Sequence, residues 1–205
     1  MSTENQHLHP SGLLISTSGL DGAGKSTSLA YLVAALKDHG FDVVQTREPG
    51  GTPLGERLRE LMLHDEMTPM TEALMMYAAR AEHITQVIRP ALEDGKCVVC
   101  DRFEDCSYAY QGAGRKLGSQ TIDTLSDLVL GRGENRIEPT YTWFFDVTIE
   151  VAKQRLAATR DMDRFERQGD DYFNRVRQAY WERINANPAR YQVVDSTRPL
   201  EQVKA

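Results

Sequence analysis

The chain has 205 residues, with 30 acidic side chains against 24 basic ones and a net charge of −6. That length suits one domain with a sheet covered by helices. The acidic balance argues against a general nucleic-acid or membrane-surface binder, which needs surplus positive charge to displace counterions. No apolar run approaches the roughly 20 residues that cross a bilayer. The polar start MSTENQHLHP has neither part of a signal peptide, so a cytoplasmic protein is expected.

Residues 1–11 read as a polar tail and residues 12–205 as a single domain. The apolar run Leu13–Thr17 predicts a first strand. It leads into SGLDGAGKST and then a helix carrying Leu29, Leu32, Val33 and Leu36, stopped at Gly40. A second strand is expected over Phe41–Thr46, and Pro53 opens a helix with Leu58, Leu61 and Met62 on one side. Pro69 and Thr71 precede a third helical stretch from Leu74 to Ile88, where Pro90 predicts a kink or restart. Further strands are expected at Cys97–Cys100, Tyr141–Val147 and Tyr191–Val194. Such short, nearly continuous apolar runs suit strands buried on both faces. Alternation with helices predicts an α/β fold with a five-stranded parallel sheet and helices on both sides. Three cysteines make no disulfide framework, and Cys97 and Cys100, flanking Val98-Val99, read as core residues of a strand.

Gly19-x-x-x-x-Gly24-Lys25-Ser26 fits a phosphate-binding P-loop, with a strand before it and a helix after it. Glycines let backbone N–H groups turn inward around phosphate oxygens, and the helix N-terminus adds its positive end. Gly19, Leu20, Asp21, Gly22, Ala23, Gly24, Lys25, Ser26 and Thr27 would thus cradle a nucleoside triphosphate. Lys25 would reach the outer phosphates and Ser26 would ligate Mg²⁺. The loop alone does not separate an enzyme from a motor or a switch. No Asn-Lys pair exists for guanine reading. The third strand ends in Asp101-Arg102 rather than an acidic pair, which suggests a second anionic substrate. Arg47, Arg59, Arg80 and Arg102 fall where the C-terminal ends of the strands could converge, the ligand side of an open parallel sheet.

TREPGGTPLGE at Thr46–Glu56, AAR at Ala78–Arg80, CDRF at Cys100–Phe103 and YAYQGAGR at Tyr108–Arg115 resemble, in order, the signatures of bacterial thymidylate kinases. The resemblance implies a nucleoside monophosphate kinase fold with a short lid at about residues 158–169. It also implies ATP as phosphoryl donor, Mg²⁺, dTMP as acceptor, and a homodimer. Arg102, assisted by Arg59, would hold the acceptor phosphate, and Asp101 would support Mg²⁺. Arg80, Gln111 and Ser107 would read the base, with Tyr110 beside the sugar. Asp21 and Glu48 would sit near the sugar 3′-hydroxyl and the phosphate. The P-loop's variable positions carry no Arg or Lys, so Arg160 or Arg164 of the lid would complete a catalytic set with Lys25, Asp21 and Arg102.

The chain departs from that pattern in three places. Ser18 stands where an acidic residue is common, and Met76 stands where a base-stacking phenylalanine is common; a thioether can still lie against a base. The closing helix after Pro199 is short. A kinase for another nucleotide or nucleoside, and a nucleotide-binding switch, are the competing readings. Turnover that requires a monophosphate separates kinase from switch.

Overall fold

The computed structural model describes residues 12–157 and 163–198. The expected tail, Arg160 and the closing helix from Pro199 lie outside the described residues. Five strands, β1 (Leu13–Gly19), β2 (Val43–Arg47), β3 (Cys97–Asp101), β4 (Tyr141–Asp146) and β5 (Tyr191–Asp195), form one sheet in the order β2-β3-β1-β4-β5. All four pairings are parallel, as the alternation of elements requires.

Period-two alternation divides the central strands between two cores. Ile15, Cys97 and Val99 pack on Leu29, Leu32 and Val33 of α1 (Lys25–Asp38). Leu14, Val98 and Cys100 pack against Ile84, Ile88 and Leu92 on the other side. Cys97 and Cys100 therefore sit in different cores as free, buried thiols. The edge strands differ from the expectation of burial on both faces. Gln192 and Val193 of β5 are exposed, and β2 begins at Val43 because Phe41 projects into solvent. An edge strand has a neighbour on one side only, so its outer residues lack cover.

Threonine caps start the next two helices. Thr52 accepts from the Gly55 N–H ahead of α2 (Pro53–His64), and Thr68 accepts from the Thr71 N–H ahead of α3 (Pro69–His83). After α3 the helix widens into a π turn over Ile84–Ile88 and resumes as α4 (Arg89–Glu93). Pro90 lacks an N–H and its ring crowds the preceding turn, so the expected kink takes the form of this widening. A second π segment, Tyr108–Gly114, follows the single turn α5 (Glu104–Ser107). The remaining helices are α6 (Ser119–Leu130), α7 (Ile149–Ala157) and α8 (Asp170–Ala186). No helix among the described residues is long and apolar enough to cross a membrane.

Candidate active site

The C-terminal ends of β1, β2 and β3 meet in register, with Thr17 beside Asp101 and Arg47 beside Asp101. From β1 the chain enters the glycine loop. Gly24 closes it in the left-handed region, at φ 77°, and α1 starts at Lys25. Gly22 also has positive φ, and a Cβ there would lie 2.4 Å from the Ala152 carbonyl oxygen, so the loop is pressed onto α7. Lys25 Nζ donates to the carbonyls of Leu20 at 2.7 Å and Gly19 at 3.2 Å. Burial, then the nearby Arg102, lowers its pKa.

Arg102 follows β3 with φ 69°, a conformation that strains a non-glycine residue. Its N–H bonds to the Thr17 carbonyl at 2.9 Å, and its guanidinium donates to Asp21 Oδ1 at 2.5 Å and to the Gly19 carbonyl at 3.3 Å. Tyr110 packs its ring 5.2 Å from that guanidinium, and its hydroxyl reaches Asp21 Oδ2 at 3.5 Å. Burial works against the Arg102 charge, but Asp21 and Tyr110 outweigh it and raise the pKa well above the ordinary value. Arg59 donates to the Pro49 carbonyl at 3.2 Å. Its pKa is lowered by burial and then by Arg47 and Arg102. Arg102 thus lies within electrostatic reach of both Lys25 and Arg59, an arrangement that favours a polyanion among them.

Ser26, on the first turn of α1, and Asp101 line one cavity of about 550 Å³ together with Gln45, Thr46 and Gly51. Thr17 Oγ1 donates to Asp101 Oδ1 at 2.9 Å and fixes the carboxylate. A hydroxyl and a carboxylate beside a phosphate loop are the hard oxygen donors that Mg²⁺ takes alongside substrate phosphates. Ser18 is buried with its Oγ 3.8 Å from Cys106 Sγ, so the commonly acidic position belongs here to a neutral contact.

The residues expected to read a base lie on two facing stripes. Glu72, Met76 and Arg80 recur at four-residue spacing along α3, and Ser107, Gln111 and Arg115 do so along α5 and the π segment that follows it. Arg80 Nη1 donates to Ser107 Oγ at 3.1 Å, and Gln111 Nε2 donates to Glu72 Oε1 at 2.8 Å. Met76 lies buried between these pairs. Arg80 is 1% exposed and stacked near the rings of Tyr77 and Phe103. Burial opposes its charge, yet Glu48 and Tyr77 more than offset that and raise its pKa.

Three expected placements change. Glu48 is not turned to a phosphate: it takes Arg80 Nε at 2.6 Å and His83 Nδ1 at 3.0 Å on its two oxygens. A carboxylate facing a phosphate would be repelled, whereas beside a buried guanidinium it is needed. Arg164, expected to close over the P-loop, lies at the base end instead. It donates from Nη1 to Glu72 Oε2 at 2.8 Å and from Nε to the Met62 carbonyl at 3.0 Å. Arg47, expected at the convergence, is half exposed and paired with Glu56 at 2.7 Å.

The sequence reading passed over Glu72, His83, Arg115 and Arg155. His83 Nε2 contacts Thr46 Oγ1 at 2.6 Å, extending the Arg80–Glu48 chain to β2. Arg115 Nε donates to Glu72 Oε2 at 3.0 Å. Arg155 of α7 donates to the carbonyls of Gly22 at 3.4 Å and Ser196 at 2.9 Å, which places a cation against the loop. The four-residue steps back from Arg80 to Glu72 and forward from Gln111 to Arg115 were usable signals; nothing local marked His83 or Arg155.

The thymidylate kinase family model matches residues 18–205. The thymidylate kinase of Bordetella pertussis strain Tohama I is 52% identical over 196 residues, which cover 96% of this chain and 92% of that protein. The Pseudomonas putida GB-1 thymidylate kinase is 50% identical over 197 residues, 95% and 92% of the two chains. The crystal structure of thymidylate kinase from Ehrlichia chaffeensis superposes with a TM-score of 0.75 at 31% identity, over 94% of each chain. With a glycine loop and a cluster of cations at the same strand ends, the chain belongs to the thymidylate kinase family.

Proposed function

We propose that the protein transfers the γ-phosphoryl group of ATP to dTMP, giving dTDP and ADP on the route to dTTP. The observation that carries this reading is the closeness of Arg102 to both Lys25 and Arg59 beside a phosphate loop. Two polyanions repel, so transfer between them depends on positioning and on neutralising the migrating group. The loop amides and Lys25 hold the donor phosphates, Arg102 with Arg59 holds the acceptor phosphate, and Asp21 keeps the Arg102 guanidinium aimed. Ser26 and Asp101 would hold Mg²⁺, which would supply charge neutralisation at the phosphates. Arg80 and Gln111 face the base, and Tyr110 leaves little room beside the sugar for a 2′-hydroxyl.

The protein works in the cytoplasm as a homodimer. Leu54 and Leu61 on α2, with Met70 and Leu74 on the adjoining α3, are exposed apolar side chains suited to pairing with a second copy. A panel of monophosphate acceptors, assayed by coupled ADP release with ATP and Mg²⁺, tests the function. Turnover should require an added monophosphate and be fastest with dTMP; slow hydrolysis indifferent to the acceptor overturns the reading.

A further inference from the structure

Gln111 is 1% exposed, and its carboxamide is held from one side only. Nε2 donates to Glu72 Oε1 at 2.8 Å, while Oε1 is buried with no hydrogen-bond partner. Glu72 is fully buried. Its second oxygen takes Arg115 Nε at 3.0 Å and Arg164 Nη1 at 2.8 Å, so it is pinned by cations from the π segment's far end and from the chain before α8. An ionised carboxylate only accepts hydrogen bonds, whereas a carboxamide offers a donor at one end and an acceptor at the other. The two ends of a glutamine amide have nearly the same shape, so the neighbours decide which way it points.

We propose that Glu72 sets the pyrimidine selectivity of the pocket by forcing Gln111 to present its carbonyl oxygen, rather than its NH₂, to the base. The proposal rests on the monophosphate-kinase reading and deepens it. With Glu72 holding the NH₂ end, the pocket shows a donor, the Arg80 guanidinium, beside an acceptor, Gln111 Oε1. A pyrimidine-2,4-dione complements that pair with an acceptor at O4 and a donor at N3–H. Cytosine presents the reverse, an N4 amino donor and a bare N3 acceptor. Turning the amide over would suit cytosine N3 but would set Gln111 Oε1 against a carboxylate oxygen, leaving two buried acceptors facing each other. Glu72 is therefore a positioning residue that acts through Gln111.

Glu72→Gln keeps the shape and can donate or accept, which frees Gln111 to turn. In steady-state assays the kcat/KM of dCMP relative to dTMP should rise about tenfold, as expected when one buried hydrogen-bond mismatch is relieved. The dUMP to dTMP ratio should hold within about twofold, because uracil and thymine share the edge that Gln111 faces. Arg115→Met removes one cation from Glu72 but leaves Gln111 its acceptor, and both ratios should stay at wild-type values. An unchanged dCMP ratio in Glu72→Gln overturns the proposal, as does an equal rise for dCMP and dUMP, or the same shift in Arg115→Met. In the wild-type protein, nitrogen-15 NMR should show one Gln111 side-chain NH₂ proton shifted downfield by the carboxylate that accepts it, with and without dTMP. A pair of protons at the free-glutamine position, or a shift that appears only with dTMP, overturns the proposal without any variant. A wild-type chain that phosphorylates no monophosphate refutes the functional reading itself, and this proposal with it. One that phosphorylates dTMP while Glu72→Gln keeps full selectivity refutes this proposal alone.

Discussion

The glycine loop proposed to take the donor and the Arg80–Gln111 cluster proposed to take the acceptor lie toward the same end of one sheet, yet they are held in place by different means. Around the donor, backbone does the shaping: positive-φ glycines, carbonyls and the first turn of α1, with Lys25 bonded to carbonyls of its own loop. Around the acceptor, the shaping falls to buried side-chain pairs between elements far apart in sequence. Arg80 with Glu48 and Gln111 with Glu72 are two of them. A backbone-built site tolerates neighbouring substitutions so long as its glycines remain. A site of paired buried charges fails when one partner is removed, because the other is left uncompensated.

The largest expected effect breaks the acceptor side. Glu48→Ala strands the Arg80 guanidinium in the core and should cost about 3–5 kcal/mol of stability, read by denaturant unfolding. A loss below about 1 kcal/mol would mean that Arg80 does not depend on its partner. Next comes the donor side. Lys25→Ala should lower kcat by about 10²–10³, the scale for removing one preorganised donor to developing charge. Calorimetry should find dTMP affinity nearly unchanged; a comparable loss there would deny the separation of the two halves. Arg102→Ala should chiefly raise the acceptor KM, by about 10- to 100-fold for a lost charge-assisted contact, with a smaller change in the KM for ATP.

The smallest effect concerns a buried pair outside both sites. Asp105 is 1% exposed and accepts from Arg183 at 2.5 Å, Arg190 at 2.6 Å and Tyr191 at 2.8 Å. Burial would raise its pKa, but Arg183 and Arg190 prevail and hold it below the ordinary carboxylate value. Its contribution is fully present above about pH 4, where the unfolded side chain is ionised, and is lost as pH falls through the lower folded pKa. Asp105→Asn should therefore flatten the acid limb of the stability curve below about pH 4; an identical limb would exclude Asp105 as its source.

How far the sequence could be read follows the same contrast. The glycine loop was legible because all its parts are contiguous and both flanking elements carry clear periodicity. The sheet was legible because its central strands open or run on short apolar stretches such as Leu13–Ile15 and Cys97–Cys100, and the reading failed only at edges such as Phe41, where exposure breaks the pattern. Arg80, Gln111, Ser107 and Glu48 could be named through a family resemblance, but the pairing of Arg80 with Glu48 and of Gln111 with Glu72 could not. The Glu48–Arg80 and Glu72–Gln111 contacts span 32 and 39 residues, and no local spacing encodes such a meeting. Arg164 shows the hazard: a charge-rich segment announces cations, but only the three-dimensional neighbour, here Glu72, decides what each one holds.

The wide turn at Tyr108–Gly114 makes chain length itself part of the active site. In a regular helix each residue advances about 100°, and a π turn accommodates one extra residue without unwinding the rest. Removing a single residue from this stretch would restore ordinary winding and swing one end of the segment by about a quarter turn relative to the other. Ser107 would then no longer face Arg80 while Gln111 and Arg115 face Glu72. Substitutions here can be tolerated one by one, whereas a one-residue deletion would separate recognition of the nucleobase from that of its phosphate.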